Sequence, residues 1–215
     1  MNKPKERPIL FSVEMVRAIL EGRKTMTRRV IKPQPTDFVM LEDNKLWNAI
    51  KMRGTAQPKP CKYGQPGDRL WVRETWIPDP PQDETWDFCL YTDGKIHNLG
   101  VIPKRFRNKD YAIYKSTWDG PQLNWISPIY MPRWASRITL EIVGVKIEQL
   151  QDISREDCLA EGMPQYTFSM GAISDNPPDF RWKFIELWDS INAKRGYSWE
   201  SNPWVWAIEF KKVEG

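Results

Sequence analysis

The segment ASRITLEIVGVKIEQL, residues 135–150, does most to narrow what this chain can fold into. Ile138, Leu140 and Ile142 alternate with Thr139 and Glu141, the two-residue period of a strand with one buried face. GDRLWVRETW repeats the pattern, with Leu70, Val72, Glu74 and Trp76 on one side and Trp71, Arg73 and Thr75 on the other. FCLYTDG, YAIYKSTW and NPWVWAIEF add shorter strand candidates between Pro, Asp and Gly turns. Helical patterns are fewer. SVEMVRAILEG has Ser12 as N-cap, Met15, Val16, Ile19 and Leu20 at helical spacing, and Gly22 as a left-handed stop. DISREDCLAEGM reads as a short helix opened by a Ser154/Asp157 capping box and closed by Gly162. PDFRWKFIELWDSINAKRG starts near Pro178 and Asp179 and carries Phe184, Trp188 and Ile191 on one stripe. Strands outnumber helices and rarely alternate with them. The expected fold class is α+β, a small β-barrel or curled sheet flanked by short helices.

Composition then removes functions. The chain has 215 residues, 40% hydrophobic and 28% charged, which suits one domain over 1–215 with a substantial core. Eighteen prolines concentrate the loop character near 33–62, 77–125 and 164–178, which read as insertions. No apolar run is long enough for a membrane helix, and MNKPKERPILF lacks a signal-peptide core, so a cytoplasmic protein without membrane attachment is expected. Three cysteines without a CxxC argue against a disulfide framework or a structural zinc site. A single histidine, His97, excludes mechanisms built on a histidine pair.

Charge is uneven. Residues 1–36 hold nine Lys or Arg against Glu6, Glu14 and Glu21, while the whole chain is only +4. Such a field suits an anionic or nucleotide-like partner, or is a solvated basic surface. Twelve tryptophans supply either core or stacking faces, with Trp71, Trp76, Trp118 and Trp134 as the candidates. The densest chemistry lies in GRKTMTRR, residues 22–29. A lysine made partly neutral by burial can take a proton from a threonine hydroxyl three residues on, and a nearby carboxylate can carry protons to a leaving group. On spacing alone such a stretch is more often a basic surface loop than a catalytic one. Glu74, among apolar neighbours, needs a partner if buried.

Gly22, Lys24, Thr27 and Arg29 form G-x-K-x-x-[E/T]-x-R after a short amphipathic helix, and this resembles the signature of the ASCH domain family, a branch of the PUA-like β-barrels. The Gly67-Asp68 turn before a strand, the short helix ending AEGM and the closing W-x-I-E-F strand match in order. RPILFSVEMVRAILEGRKTMTRR, GDRLWVRETW and MPRWASRITLEI resemble a longer subgroup found in phages and prophages. The resemblance implies a PUA-like β-barrel and, because Thr27 stands where many members have Glu, an amidohydrolase that removes the acyl group from N4-acetylcytidine-type nucleosides. It further implies Thr27 as nucleophile, Lys24 as its base and Glu161, in AEGM, as proton carrier, with Arg29 binding substrate or the oxyanion. Direct attack by water activated by Glu161 uses the same three residues. Arg73, Glu74 and Trp76 are the further substrate-binding candidates, and no cofactor or metal is implied. The alternatives are a non-catalytic RNA-binding module, in which Lys24, Arg28 and Arg29 contact phosphate, and an RNA-cleaving relative.

Overall fold

The computed structural model describes residues 4–35, 50–52, 55–57, 60–81, 83–84, 99–163 and 181–213. The expected strand FCLYTDG, His97, the 164–178 loop and the first turn of the last expected helix lie outside the described residues.

The architecture is mixed α+β. A five-stranded sheet has the order β1 (Glu6–Leu10), β5 (Arg69–Arg73), β8 (Thr139–Gln149), β9 (Trp204–Val213), β2 (Met26–Val30). Only the β1–β5 pairing is parallel. Two short hairpins stand apart, β3 (Ile50–Met52) with β4 (Thr55–Gln57), and β6 (Trp76–Pro78) with β7 (Ala112–Tyr114). The helices are α1 (Val13–Leu20), α2 (Arg155–Ala160) and α3 (Arg181–Asn192).

Among the described residues no ladder joins β1 to β2, so the sheet is not a closed barrel. It is nevertheless curled. α1 carries the chain from one edge strand to the other, and Arg29 Nη2 on β2 donates to Leu10 O at the end of β1 at 2.7 Å. The curl encloses one core to which β1, β5, β8, β9 and α1 contribute, with Ile31 just past β2, and which includes Ile9, Val16, Ile19, Leu70, Val72, Leu140, Ile142, Ile208 and Phe210. Each large apolar side chain fully buried there contributes about 1.5–3 kcal/mol. α2 and α3 cover the opposite face around Leu150, Ile153, Cys158, Phe184, Trp188 and Val205. A third cluster, Trp76, Tyr114, Ile126, Met131 and Ala135, lies under the β6–β7 hairpin.

The strongest expected strand is present, with a break in its period. The β8–β9 register shifts between Ile142 and Gly144, a bulge that leaves Val143 exposed and moves the buried positions to Ile147. A Cβ at Gly144 would lie 2.9 Å from Glu209 Oε2, the end of an exposed and flexible side chain. Along β5 and just beyond it, Leu70, Val72, Glu74 and Trp76 are each almost fully buried as expected, and Trp71 on the other side is buried as well. The Gly64–Asp68 turn is a structural device. Asp68 accepts from Lys5 N, Gln65 N and Arg7 Nη1. Burial works against its charge, but these bonds prevail and hold its pKa below the usual carboxylate value.

Candidate functional site at the sheet edge

The loop after α1 is shaped by the end of α2. Ser12 caps α1 by accepting from Met15 N, and Gly22 turns the chain at φ 75°. The next residues serve the last carbonyls of the other helix, which have no intrahelical donor. Arg23 Nη1 donates to Gly162 O at 2.8 Å, Lys24 Nζ to Glu161 O at 2.7 Å and Thr25 N to Ala160 O at 2.8 Å. Lys24 and Glu161 form a backbone bridge. The run therefore serves both helix ends: the Lys24 backbone N–H donates to Ala18 O of α1 at 2.9 Å, while the Arg23 and Lys24 side chains and Thr25 N cap α2. Gly162 permits the approach. At φ 90° it adopts a conformation costly for other residues, and a Cβ would stand 2.9 Å from Ala18 Cβ and 3.0 Å from Lys24 Cβ.

The approach buries a charged group. Lys24 is 2% exposed and Glu161 5%, and Lys24 Nζ donates to Glu161 Oε2 and to Met26 O at 2.7 and 2.8 Å. With the bond to Glu161 O, all three ammonium hydrogens are engaged. Burial lowers the Lys24 pKa below its ordinary value, the Glu161 charge and hydrogen bond oppose this, and Arg29 and Arg28 add to the lowering. The other Glu161 oxygen, Oε1, lies 3.4 Å from Arg28 Nη1.

Strand β2 separates the remaining groups by alternation. Thr27 and Arg29 pair with Ile208 and Trp206 and share their face, toward the core enclosed by α1. Arg28 and Val30 pair with Ala207 and Val205 and face α2 and α3. The Arg28 side chain is fully buried, donating to Glu148 Oε1 through Nε at 2.6 Å and to Asp157 Oδ2 through Nη2. Asp157 is thereby diverted from the expected capping box. Ser154 accepts from Asp157 N at 3.0 Å, but the return half of the box is replaced by Arg28. Glu148, Asp157 and Glu161 thus converge on a guanidinium, and among the described residues no group of His, Cys, Asp and Glu is arranged to hold a metal ion.

Because β2 is an edge strand, a cavity of about 230 Å³ opens along it. Thr27, Arg28, Arg29, Val30 and Glu161 line it from the strand side, Phe184, Leu187, Trp188, Ile191 and Asn192 from α3, and Met15, Lys32, Lys62, Tyr63 and Arg195 elsewhere around it. The structure therefore brings Thr27, Arg29 and Glu161 to one cavity, with Lys24 behind Glu161 rather than in the lining. Among the described residues the Thr27 hydroxyl forms no hydrogen bond. Arg29 rests 5.1 Å from the Phe11 ring centroid, and its Nε is buried without a partner.

Arg73, Glu74 and Trp76 do not line this cavity. Arg73 lies over the Trp71 ring and donates to Ile129 O. Glu74 has the partner its burial requires: Arg137 donates to both its oxygens, at 3.0 and 3.2 Å, and Ser116 Oγ donates to Oε2. Trp76 is fully buried against Trp134, edge to face at 5.6 Å. Trp118 packs edge-on to Trp125 beside a different pocket. The aromatic walls of the edge cavity come instead from Tyr63, Phe184 and Trp188. Phe184 and Trp188 were legible as a helix stripe, but not as a wall. Tyr63 and Lys62, in a proline-rich loop, gave no signal.

The basic N-terminal segment is largely consumed inside the molecule. Arg7 pairs with Asp68, Arg17 donates to Ser116 O, Arg23 pairs with Glu21, and Lys24, Arg28 and Arg29 have the acceptors described above. Comparison with protein-family models, with curated proteins and with solved structures finds no match for this chain.

Proposed function

We propose that the curled sheet is an open variant of the PUA-like β-barrel of ASCH proteins and that its edge cavity is an amidohydrolase site for N4-acylated cytosine nucleosides. The observation that carries this reading is the convergence of Thr27, Arg29 and Glu161 on one small cavity, with Lys24 bonded to the Glu161 carboxylate from behind. Thr27 and Glu161 stand 134 residues apart in sequence, and the capping of α2 by Arg23, Lys24 and Thr25 brings their segments together. The cavity of about 230 Å³ falls below the roughly 300–1,000 Å³ typical of sites for drug-sized ligands and suits a single substituted ring.

In this mechanism Thr27 Oγ attacks the acyl carbonyl and its proton passes to Glu161. Arg29 Nε, buried with no other acceptor, donates to the developing oxyanion. The tetrahedral intermediate collapses with cleavage of the C–N bond, and Glu161 returns the proton to the departing N4 amine. Water then hydrolyses the Thr27 ester, so that acylcytidine and water become cytidine and the free acid. Attack by a water held on Glu161 gives the same products without the ester. The arrangement favours Glu161 over Lys24 as the base, because Glu161 lines the cavity and every Lys24 ammonium hydrogen already has an acceptor. Lys24 then acts by positioning the carboxylate.

Absorbance-monitored conversion of N4-acetylcytidine to cytidine tests the proposal. The parent is expected to turn over while Thr27→Ala and Glu161→Gln, folded by circular dichroism, do not. An inactive parent across several N4-acyl groups would overturn it. In that case the RNA-binding reading gains, although six of the nine cations in residues 1–36 already have internal acceptors.

A further inference from the structure

The lining of the edge cavity is charged asymmetrically. Five cations, Arg28, Arg29, Lys32, Lys62 and Arg195, face one carboxylate, Glu161. Arg28 is neutralised by Glu148 and Asp157, and Arg29 is held on Leu10 O and Phe11. Lys32, Lys62 and Arg195 differ in kind, being exposed groups at the mouth. Among the described residues Lys62 and Arg195 pair with no carboxylate. They come from three separate parts of the chain: just after β2, the turn before β5, and the single turn Ala193–Arg195 that follows α3.

Thr27 lies near the start of β2, and Val30 at its end is about 10 Å further along at 3.3 Å per residue. Lys32 continues beyond that end and stacks over the Tyr197 ring at 4.8 Å, which places it beside the Arg195–Gly196 turn. Lys62 lies 4.8 Å from the centroid of the neighbouring Tyr63 ring, and both line the cavity. Lys62 and Arg195 thus add to the exposed rim of the cavity positive charge that, among the described residues, no carboxylate neutralises. A neutral nucleoside makes no use of that charge.

We infer that the cavity takes its substrate as a phosphate ester, with Lys62 and Arg195 holding the phosphate while the acylated base reaches Thr27 and Glu161. The inference rests on the amidohydrolase reading for what happens at the base, but the phosphate contact can be measured without turnover. The phosphate can belong to a mononucleotide or to a chain, and the chemistry recognised is the same.

The test compares cytidine with cytidine 5′-monophosphate by calorimetry on the intact protein, then N4-acetylcytidine, its 5′-monophosphate and a short single-stranded oligonucleotide containing it as substrates. The 5′-monophosphate is expected to bind about tenfold tighter than the nucleoside, the scale of one or two charge-assisted contacts at a solvated mouth. Lys62→Ala and Arg195→Ala should collapse that ratio toward one, and added salt should weaken the nucleotide and not the nucleoside. A further gain for the oligonucleotide, steep in salt, assigns the phosphate to a chain, and parity with the mononucleotide assigns it to a free nucleotide. Equal affinity for cytidine and its monophosphate overturns the inference even if acetylcytidine is hydrolysed. Tighter monophosphate binding without hydrolysis of any form upholds the phosphate contact and removes the amidohydrolase reading.

Discussion

Two buried carboxylates on this sheet have been treated in opposite ways. Glu74, just past the end of β5, is 2% exposed and saturated by a two-pronged Arg137 and by Ser116 Oγ. No cavity-lining residue belongs to that group. Glu161, at the end of α2, is similarly buried, yet it is held firmly through one oxygen only, its second lies at 3.4 Å from Arg28, and a cavity opens beside it. Taking charge out of water costs several kcal/mol per ion and is offset only when the remaining lone pairs are satisfied. The Glu74 cluster meets that condition and fixes the β6–β7 lobe against the sheet. The Glu161 cluster leaves a carboxylate oxygen, a threonine hydroxyl and a guanidinium N–H with capacity to spare. Sequence alone favoured both glutamates as site residues, and completeness of partnering is what separates them.

The comparison can be broken most decisively by removing the spare capacity. Glu161→Gln keeps size and shape but cannot accept the proton, so kcat should fall by about 10²–10⁴-fold. Arg137→Met is the converse experiment. It strands Glu74 without its charge partner, and unfolding free energy should drop by about 3–5 kcal/mol in denaturant melts while kcat of the folded fraction stays at the parent value. A large loss of kcat in Arg137→Met would erase the distinction between the two clusters.

Gly162→Ala sharpens the account of how Lys24 and Glu161 meet. The added methyl group is disallowed by both φ and the contacts with Ala18 and Lys24, so a loss of about 1–3 kcal/mol is expected, with kcat reduced because the carboxylate moves. The smallest effect is in pH dependence. A lysine whose folded pKa is lowered binds its proton less readily than the unfolded chain. Stability should therefore rise with pH in the window between that lowered value and 10.5, and the cost of the buried charge is fully present below it. Lys24→Met should abolish this alkaline gain. A parent whose stability is flat between neutrality and pH 10, matching the variant, would place Lys24 in ordinary solvation.

What was readable in the sequence divides along the same line. Local signals held: the alternation in β5 and β8, the Ser12 cap, the left-handed Gly22 and Gly162, and the stripe of Phe184 and Trp188. Of the expected triplet, the structure places Lys24 against Glu161, and Thr27 and Glu161 in the lining of one cavity. Features that depend on which distant element lies alongside were not readable. Asp157 looked like half of a capping box until β2 placed Arg28 against it. Trp76 looked like a stacking face until the β6–β7 hairpin buried it. The basic segment looked like an external field until Asp68, Glu21, Ser116 O and the end of α2 absorbed most of it. Val143 and Gly144 did carry a local signal for the bulge that resets β8, a glycine inside an alternating run.

The central claim is that chemistry belongs to the incompletely partnered cluster at the sheet edge. Acetylcytidine turnover and thermal melting, measured side by side on Thr27→Ala and Arg137→Met, test it most directly. The account predicts Thr27→Ala melting like the parent with no turnover, and Arg137→Met melting lower with turnover intact. Turnover surviving in Thr27→Ala and lost in folded Arg137→Met would contradict it.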